Sequence, residues 1–354
     1  MPSATFGNNK TRSASEEHDV AYQSRTANPS PLHPSQTYNG GYDEAKTVRL
    51  RVANGGAGQS GLVGALADAF VRWCVKDSES HNYPREAPFL VEWYLGDTTQ
   101  SLSYLASGWV DVALTYNEAA EMALLKRQQA VKRELVFVDH FYLVGPASNP
   151  AGLAPGDSVH EIFSKIAAGG AQDAVTPPTS KRPPIRFLSR FDKSATNIKE
   201  SELFIKIGQV PWAAPTAVWY HLYPRFPQEA LRAASVLEEY TLTDRKLHIS
   251  HTPQRAAHAA PLVDSPDVSG DLINLASPAQ VANRINDDND EESDRALLNP
   301  CNALLGASKS LLDPVLAAKF MRWLVALDGG QKVVREFTTR ADGWDGEVIY
   351  QPAI

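Results

Sequence analysis

Cysteine is nearly absent: of 354 residues, only Cys74 and Cys301 carry a thiol, with no CxxC pair and no metal-ligand spacing. A disulfide framework is therefore excluded, a reducing compartment is allowed but not required, and both thiols read as ordinary partly buried groups. Long apolar runs are missing too, none approaching the roughly 20 residues that a membrane-crossing helix needs. Neither GxSxG, HExxH nor GxxxxGK[ST] occurs, so the nucleophile-elbow, zinc-protease and P-loop readings have no anchor. No repeat of fixed period is found. Positive charge is in deficit, with 34 Lys and Arg against 41 Asp and Glu for a net charge of −7, which argues against a broad nucleic-acid surface. The nine histidines are scattered; His221, His248, His251 and His258 form the closest group and read as core or solvent-facing residues rather than metal ligands. No cofactor is expected.

Regular patterning is also missing from residues 1–46. Gly7-Asn8-Asn9, Asn28-Pro29-Ser30-Pro31 and Tyr38-Asn39-Gly40-Gly41 are turn and linker chemistry, and the stretch reads as a disordered tail. Residues 1–30 hold no basic start followed by an apolar stretch, so the chain is expected to be cytoplasmic, or secreted if a leader is missing from it. Two further segments read as insertions. Residues 171–184 carry Pro177-Pro178 and Pro183-Pro184, which forbid a continuous helix or a central strand. Residues 251–296 are polar and end in the acidic run 287–292, which lacks the glycine and the spaced glutamate of an EF-hand and reads as a solvated loop.

What remains is 43% apolar and 21% charged over the whole chain, a globular composition of a size that predicts about two domains. Residues 47–53 alternate and predict a strand. Leu62, Leu66, Phe70 and Trp73 then share one helical face. Residues 89–95 predict a second strand, Thr98 or Thr99 caps a short helix closed by Gly108, residues 110–114 predict a third strand, and residues 118–130 a helix. A strand follows at 141–146. Near the end, Pro314 starts a helix carrying Leu316, Phe320, Trp323 and Leu324, with helical spacing resuming after Gly329-Gly330. Strand and helix alternating in this way imply parallel sheets with crossover helices.

Three places could hold chemistry. Residues 53–61 run Ala-Asn-Gly-Gly-Ala-Gly-Gln-Ser-Gly between a strand and a helix, where free N–H groups and the helix dipole can hold an anion. Gly56, Gly58 and Gly61 also satisfy GxGxxG, but the acid ending the second strand, Asp97, lies well past the ~20-residue separation of a dinucleotide site. Anion capture, a structural glycine turn and dinucleotide binding stay open there, with anion capture foremost. In residues 187–197 an apolar strand ends at Ser189-Arg190; Ser194 or Thr196 can cap the next helix, and Arg190 is either a fork of donors for an oxyanion or an exposed partner of Asp192. Residues 239–245 offer Thr243 and Arg245, and taken alone read as a helix-edge segment.

In order along the chain, these segments resemble the tungstate-binding, periplasmic-type solute-binding protein family. The resemblance rests on Ser60-Gly61-Leu62 after the glycine loop, Val110-Asp111-Val112, Val144-Gly145-Pro146 with Pro150-Ala151-Gly152, residues 189–196, the hexapeptide Tyr240 to Arg245, and Asn299-Pro300. It runs from about Thr47 to Phe337. In that family the loop residues matching Asn54-Gly55-Gly56 are hydroxyl-bearing, and glycines stand where this chain has Phe191 and Ala195. The resemblance implies a two-lobed, type II periplasmic-binding-protein-like α/β fold, each lobe a mainly parallel sheet flanked by helices, with a hinge between. Residues 47–138 with 301–354 would form lobe 1, and residues 139–300 lobe 2. It implies a non-enzymatic carrier or sensor of a small tetrahedral oxyanion, tungstate or molybdate-like, with a transporter or regulatory partner and no membrane insertion of its own, working as a monomer. The ligand-binding positions carried over are the backbone at Asn54, Gly55 and Gly56, with Thr98, Arg190, Ser194, Thr196 and Arg245. An enzyme on the same scaffold, acting on a phosphorylated or carboxylated metabolite, and a dinucleotide-binding oxidoreductase are the alternatives.

Overall fold

The computed structural model describes residues 32–77, 85–154, 156–225, 227–245, 272–276, 295–338 and 348–353. The polar tail up to residue 31, most of the segment 251–296 and the acidic run 287–292 lie outside them, as do His248, His251 and His258.

Chain order begins with β1 (Gln36–Tyr38) and β2 (Val48–Asn54), then a single turn α1 (Gly56–Gln59) and α2 (Leu62–Arg72). The tail expected to reach residue 46 therefore ends earlier. β1 pairs antiparallel with β3 (Leu90–Leu95), and Tyr38 sits in the core because the bare Gly64 leaves room for its ring. α3 (Thr98–Ala106), β4 (Val112–Thr115) and α4 (Glu118–Lys126) follow. The cap of α3 is Asp97, not Thr98 or Thr99: its carboxylate accepts from the N–H of Gln100 at 2.7 Å, and the Gln100 side chain accepts in return from the N–H of Asp97. α4 stops short of residue 130 because Gln128 takes a left-handed φ of 56°.

The long strand β5 (Ala130–Pro146) begins well before the expected residue 141. The chain continues with α5 (Val159–Val175), β6 (Phe187–Ser189), α6 (Ala195–Lys206), β7 (Tyr220–Leu222), α7 (Pro227–Leu237), β8 (Tyr240–Asp244) and β9 (Leu272–Ala276). Residues 171–175, expected in an insertion, are the last turn of α5. Asp173 there is buried, pairs with Arg182 and accepts from the N–H of Ile185 at 2.7 Å, so the proline segment is tied to the fold. Residues 240–244, which taken alone suggested a helix edge, form a strand whose Tyr240 and Leu242 are buried. β10 (Leu298–Gly306), α8 (Pro314–Leu324), α9 (Gly330–Glu336) and β11 (Gln351–Pro352) complete the fold.

The fold is two-lobed α/β. β2 lies between β3 and β4, parallel to both, while β6 lies parallel to β7 and β8. One hydrophobic core contains Leu50, Phe70, Val91 and Phe320; a second contains Phe141, Phe163, Phe187 and Tyr240. β5 joins them: Phe137 belongs to the first core and Leu143 to the second. The chain crosses back beside it, with Leu297 in the second core and Cys301 in the first, and with Leu298 opposite His140 and Asn299 opposite Asp139. Two antiparallel strands thus make the hinge.

The loop after β2 depends on a close approach. A Cβ at Gly58 would stand 2.2 Å from the Trp93 indole, whose Nε1 donates to the carbonyl of Asn54 at 2.9 Å. Gly58→Ala is expected to lower stability by about 1–3 kcal/mol through overpacking. Gly56→Ala, whose added Cβ meets nothing within 4 Å, should melt close to wild type. Thermal denaturation of the two variants checks this.

Candidate functional site

A cavity of about 430 Å³ opens between the two lobes. Of the positions expected to bind a ligand, Gly55, Gly56, Thr98, Arg190, Ser194 and Thr196 line it. Asn54 and Arg245 do not. Asn54 is fully buried; its Nδ2 donates to the carbonyl of Leu114 at 2.8 Å and its Oδ1 accepts from the N–H of Gly58 at 2.7 Å. Its side chain shapes the loop from below. Arg245 follows the last residue of β8 and lies off the cavity wall, while its neighbour Asp244 reaches that wall.

On the lobe 1 side, Gly55 precedes α1 without any side-chain cap, and a Cβ there would come 2.9 Å from the carbonyl oxygen of Gly96. Only glycine lets the two loops meet this closely. Asp97 also reaches the cavity, but as the cap of α3, which removes it from the ribose-binding role that GxGxxG would require.

On the lobe 2 side the N-terminus of α6 faces the cavity. Ser194 caps it, accepting from the N–H of Asn197 at 3.3 Å, and Thr196 is buried on the wall. Arg190 is paired with Asp192, so the two readings of this arginine merge: its side chain is only 12% exposed, it is salt-bridged, and it lines the cavity. Its Nε is buried with no hydrogen-bond partner among the described residues. The intervening backbone is unusual. Phe191 (φ 44°) and Lys193 (φ 63°) both take left-handed conformations, which cost a non-glycine residue of order 1–2 kcal/mol. Phe191 thus keeps a glycine-like conformation at the position where the resembling family has glycine.

The sequence reading missed Tyr116, Asp139, Arg225, Asp244 and Asn299, which also line the cavity. Asp244 lies inside the hexapeptide and Asn299 inside the return motif, so both were in view as parts of a pattern but not as contributors to a wall. Arg225, in the turn before α7, carries no sequence signal.

Residues 41–280 match the family model described as a PBP superfamily domain. The chain belongs to that superfamily. A solved structure of a periplasmic protein, provisionally described as metal-binding, is 39% identical, with 90% of this chain and 99% of that one covered and a TM-score of 0.69. The tungstate-binding protein TupA of Peptoclostridium acidaminophilum is 30% identical over 153 residues, or 43% of this chain and 48% of that protein. The match therefore spans less than half of this curated relative's length. The tungstate-binding TupA of Desulfovibrio alaskensis G20 shares the fold, with 22% identity, 87% and 99% of the two chains covered and a TM-score of 0.59. The periplasmic description of the 39%-identical relative runs against the cytoplasmic expectation for this chain.

Beneath the α6 side of this superfamily cleft lies a buried relay. Glu200 of α6 is 1% exposed and bonded to the Tyr220 hydroxyl, which donates to Ser189 Oγ at 2.8 Å. Ser189 Oγ in turn accepts from the N–H of Phe191 at 3.2 Å. The carboxyl group is thus linked to the strained loop through the Ser189 hydroxyl. Burial raises its pKa from 4.5 to about 8; hydrogen bonds from Ser189 and Tyr220 oppose that rise, Asp192 adds to it, and Arg190 lowers it. The folded state holds a proton here that the unfolded chain loses, so this contribution is full below pH 4.5 and lost as pH rises toward 8. The slope is at most about 1.4 kcal/mol per pH unit. Glu200→Gln, neutral at every pH, is expected to gain melting temperature relative to wild type as pH rises from ~5 to ~9. A constant difference across that range would contradict the protonated carboxyl.

Proposed function

We propose that this chain is a non-enzymatic, hinge-closing binding protein for a small tetrahedral oxyanion of the tungstate or molybdate kind. The observation that carries the reading is the convergence of Arg190, whose buried Nε has no partner among the described residues, and the N-terminus of α6 on the cavity that the Gly55–Gly56 loop also lines. A guanidinium donor, helix-terminal amides and hydroxyls from Ser194, Thr196 and Thr98 form a donor set suited to an anion. Asp192 holds the guanidinium in place until the ligand competes for it.

The lobes in this reading are residues 47–138 with 301–354, joined by β1, and residues 139–300. Closure about the hinge would shut water out of the cleft and strengthen each charge-assisted bond. The tungstate-binding relative supports the ligand class. So does a 30%-identical Haloferax volcanii protein provisionally named as the anion-binding component of an ABC transporter, matched over 42% of this chain and 38% of its own length. A membrane transporter is accordingly the proposed partner.

Calorimetry of the purified chain against tungstate, molybdate, sulfate and phosphate tests the reading. At least one should bind, and silence for all four at millimolar concentration would end it. Arg190→Ala is expected to weaken binding by about 2–5 kcal/mol, the cost of truncating one partner of a buried charge pair. Arg245→Ala, off the wall, should weaken it far less.

A further inference from the structure

Two guanidiniums line the cavity, and their situations differ. Arg190 shares its charge with Asp192, so that pair gives an anion a directed donor but little net attraction. Arg225 is exposed, and among the described residues its side chain has neither an ion-pair nor a hydrogen-bond partner. A guanidinium is permanently charged in a protein, so Arg225 brings a full positive charge to the wall.

The backbone fixes where that charge sits. β6 and β7 are parallel neighbours with Ser189 registered opposite Leu222, so the chain leaves both strands at the same end of the sheet. Arg190 follows the last residue of β6, and Arg225 lies in the turn after β7. The buried Ser189 holds both segments. Its Oγ accepts from the N–H of Phe191 at 3.2 Å, and its carbonyl accepts from the N–H of Tyr223 at 2.8 Å. The N–H of Arg225 then donates to the Tyr223 carbonyl at 2.8 Å. Pro224 and Pro227 flank the arginine, and both line the cavity. A proline ring fixes its own φ and restricts the residue before it, so this turn has little backbone freedom. Pro227 also shares a small recess with Arg190 and Thr196, which sets the turn against the donors of the α6 side. What stays free is the arginine side chain, which an anion can order without moving the backbone.

We propose that Arg225 is the charge-selecting residue of the cleft: its guanidinium turns onto the bound anion and makes the site prefer a doubly over a singly charged tetrahedral oxyanion. The inference rests on the oxyanion reading of the same cleft and names what that cleft selects. Shape and donor number do not separate tungstate from perrhenate, since both place four oxygens around one heavy centre. Charge separates them. Coulomb energy is proportional to the ligand's charge, so one unpaired cation contributes twice as much for the first ion as for the second. Arg190 adds little to this difference, because Asp192 cancels most of its field beyond hydrogen-bond distance.

Calorimetry of the full chain tests this with two pairs of ions alike in shape and different in charge, tungstate with perrhenate and sulfate with perchlorate. Arg225→Gln keeps a polar side chain and removes the charge. It is expected to weaken the doubly charged ion about tenfold and its singly charged counterpart about threefold, twice the loss in log Kd for twice the charge. The larger loss should shrink in added sodium chloride, which screens an exposed charge, and Arg225→Lys should restore most of the affinity. Where the singly charged ion is too weak to measure, the salt dependence and the lysine rescue decide. A doubly charged ion held by Arg225→Gln within twofold of wild type overturns the inference and leaves the oxyanion reading intact. Equal losses for the two members of a pair overturn it as well, since they mark a role other than charge. Silence of the wild-type chain for all four ions removes the inference, and the oxyanion reading falls with it if molybdate and phosphate are silent too.

Discussion

Everything in this molecule turns on one stretch of antiparallel pairing, where β5 and the start of β10 run side by side from one hydrophobic core into the other. Backbone ladders resist stretching and shear far more than they resist twisting and bending, so the joint gives the lobes freedom to open while fixing their register. The same constraint dictates the chemistry between the lobes. Side chains on the cleft side of the joint stay on the wall when the lobes move, and they are both polar and apolar: Asp139 and Phe141 of β5 line the cavity together. Asp139 and Asn299 are registered partners on that joint. Whatever binds in the cleft is read by the hinge as well as by the lobes.

The electrostatics follow from that arrangement. The chain carries an excess of acid, and the cleft does not simply reverse it. Arg190 is committed to Asp192, Asp97 to its own helix, and Asp139 on the hinge strand lies under the opposing influence of Asp244 and Arg245. An incoming ion must exchange interactions rather than fill a void. Selectivity then depends on which partner yields, and that is decided by geometry more than by total charge. The family motif Val110-Asp111-Val112 illustrates the other use of buried acid. Asp111 accepts from the Arg51 guanidinium, the Arg51 N–H and the Leu312 N–H, and so binds two chain segments without touching the cavity.

The parts of the fold set by local pattern were readable from the chain. The alternation of residues 47–53 and the apolar face from Leu62 became β2 and α2, and six of eight expected ligand positions line one cavity from its two sides. Failures arose where distant residues decide the outcome. The first half of β5 mixes Lys132, Arg133 and Glu134 with apolar residues, because its ladder partner β10 comes more than 150 positions later. Asn54 was expected to offer its backbone beside Gly55 and Gly56, yet the residue is fully buried off the cavity wall, where its side chain braces the loop. Arg245 and Arg225 exchanged places as wall residues since the exit from β8 and the turn before α7 are set by packing, not by composition. Asp139, Asp244 and Asn299 were missed as wall residues for the same reason: no sequence window holds them together.

Trp93 carries a consequence of its own. Its indole lies against Gly58 and donates to the carbonyl of Asn54, directly beneath the loop that forms one lip of the cleft. Indole emission responds to the polarity and hydrogen bonding around the ring. Any ligand that draws the loop's amides outward must alter the carbonyl to which this nitrogen is tied. Trp93 is one of seven tryptophans, and its indole is the one placed to sense a change in the loop after β2.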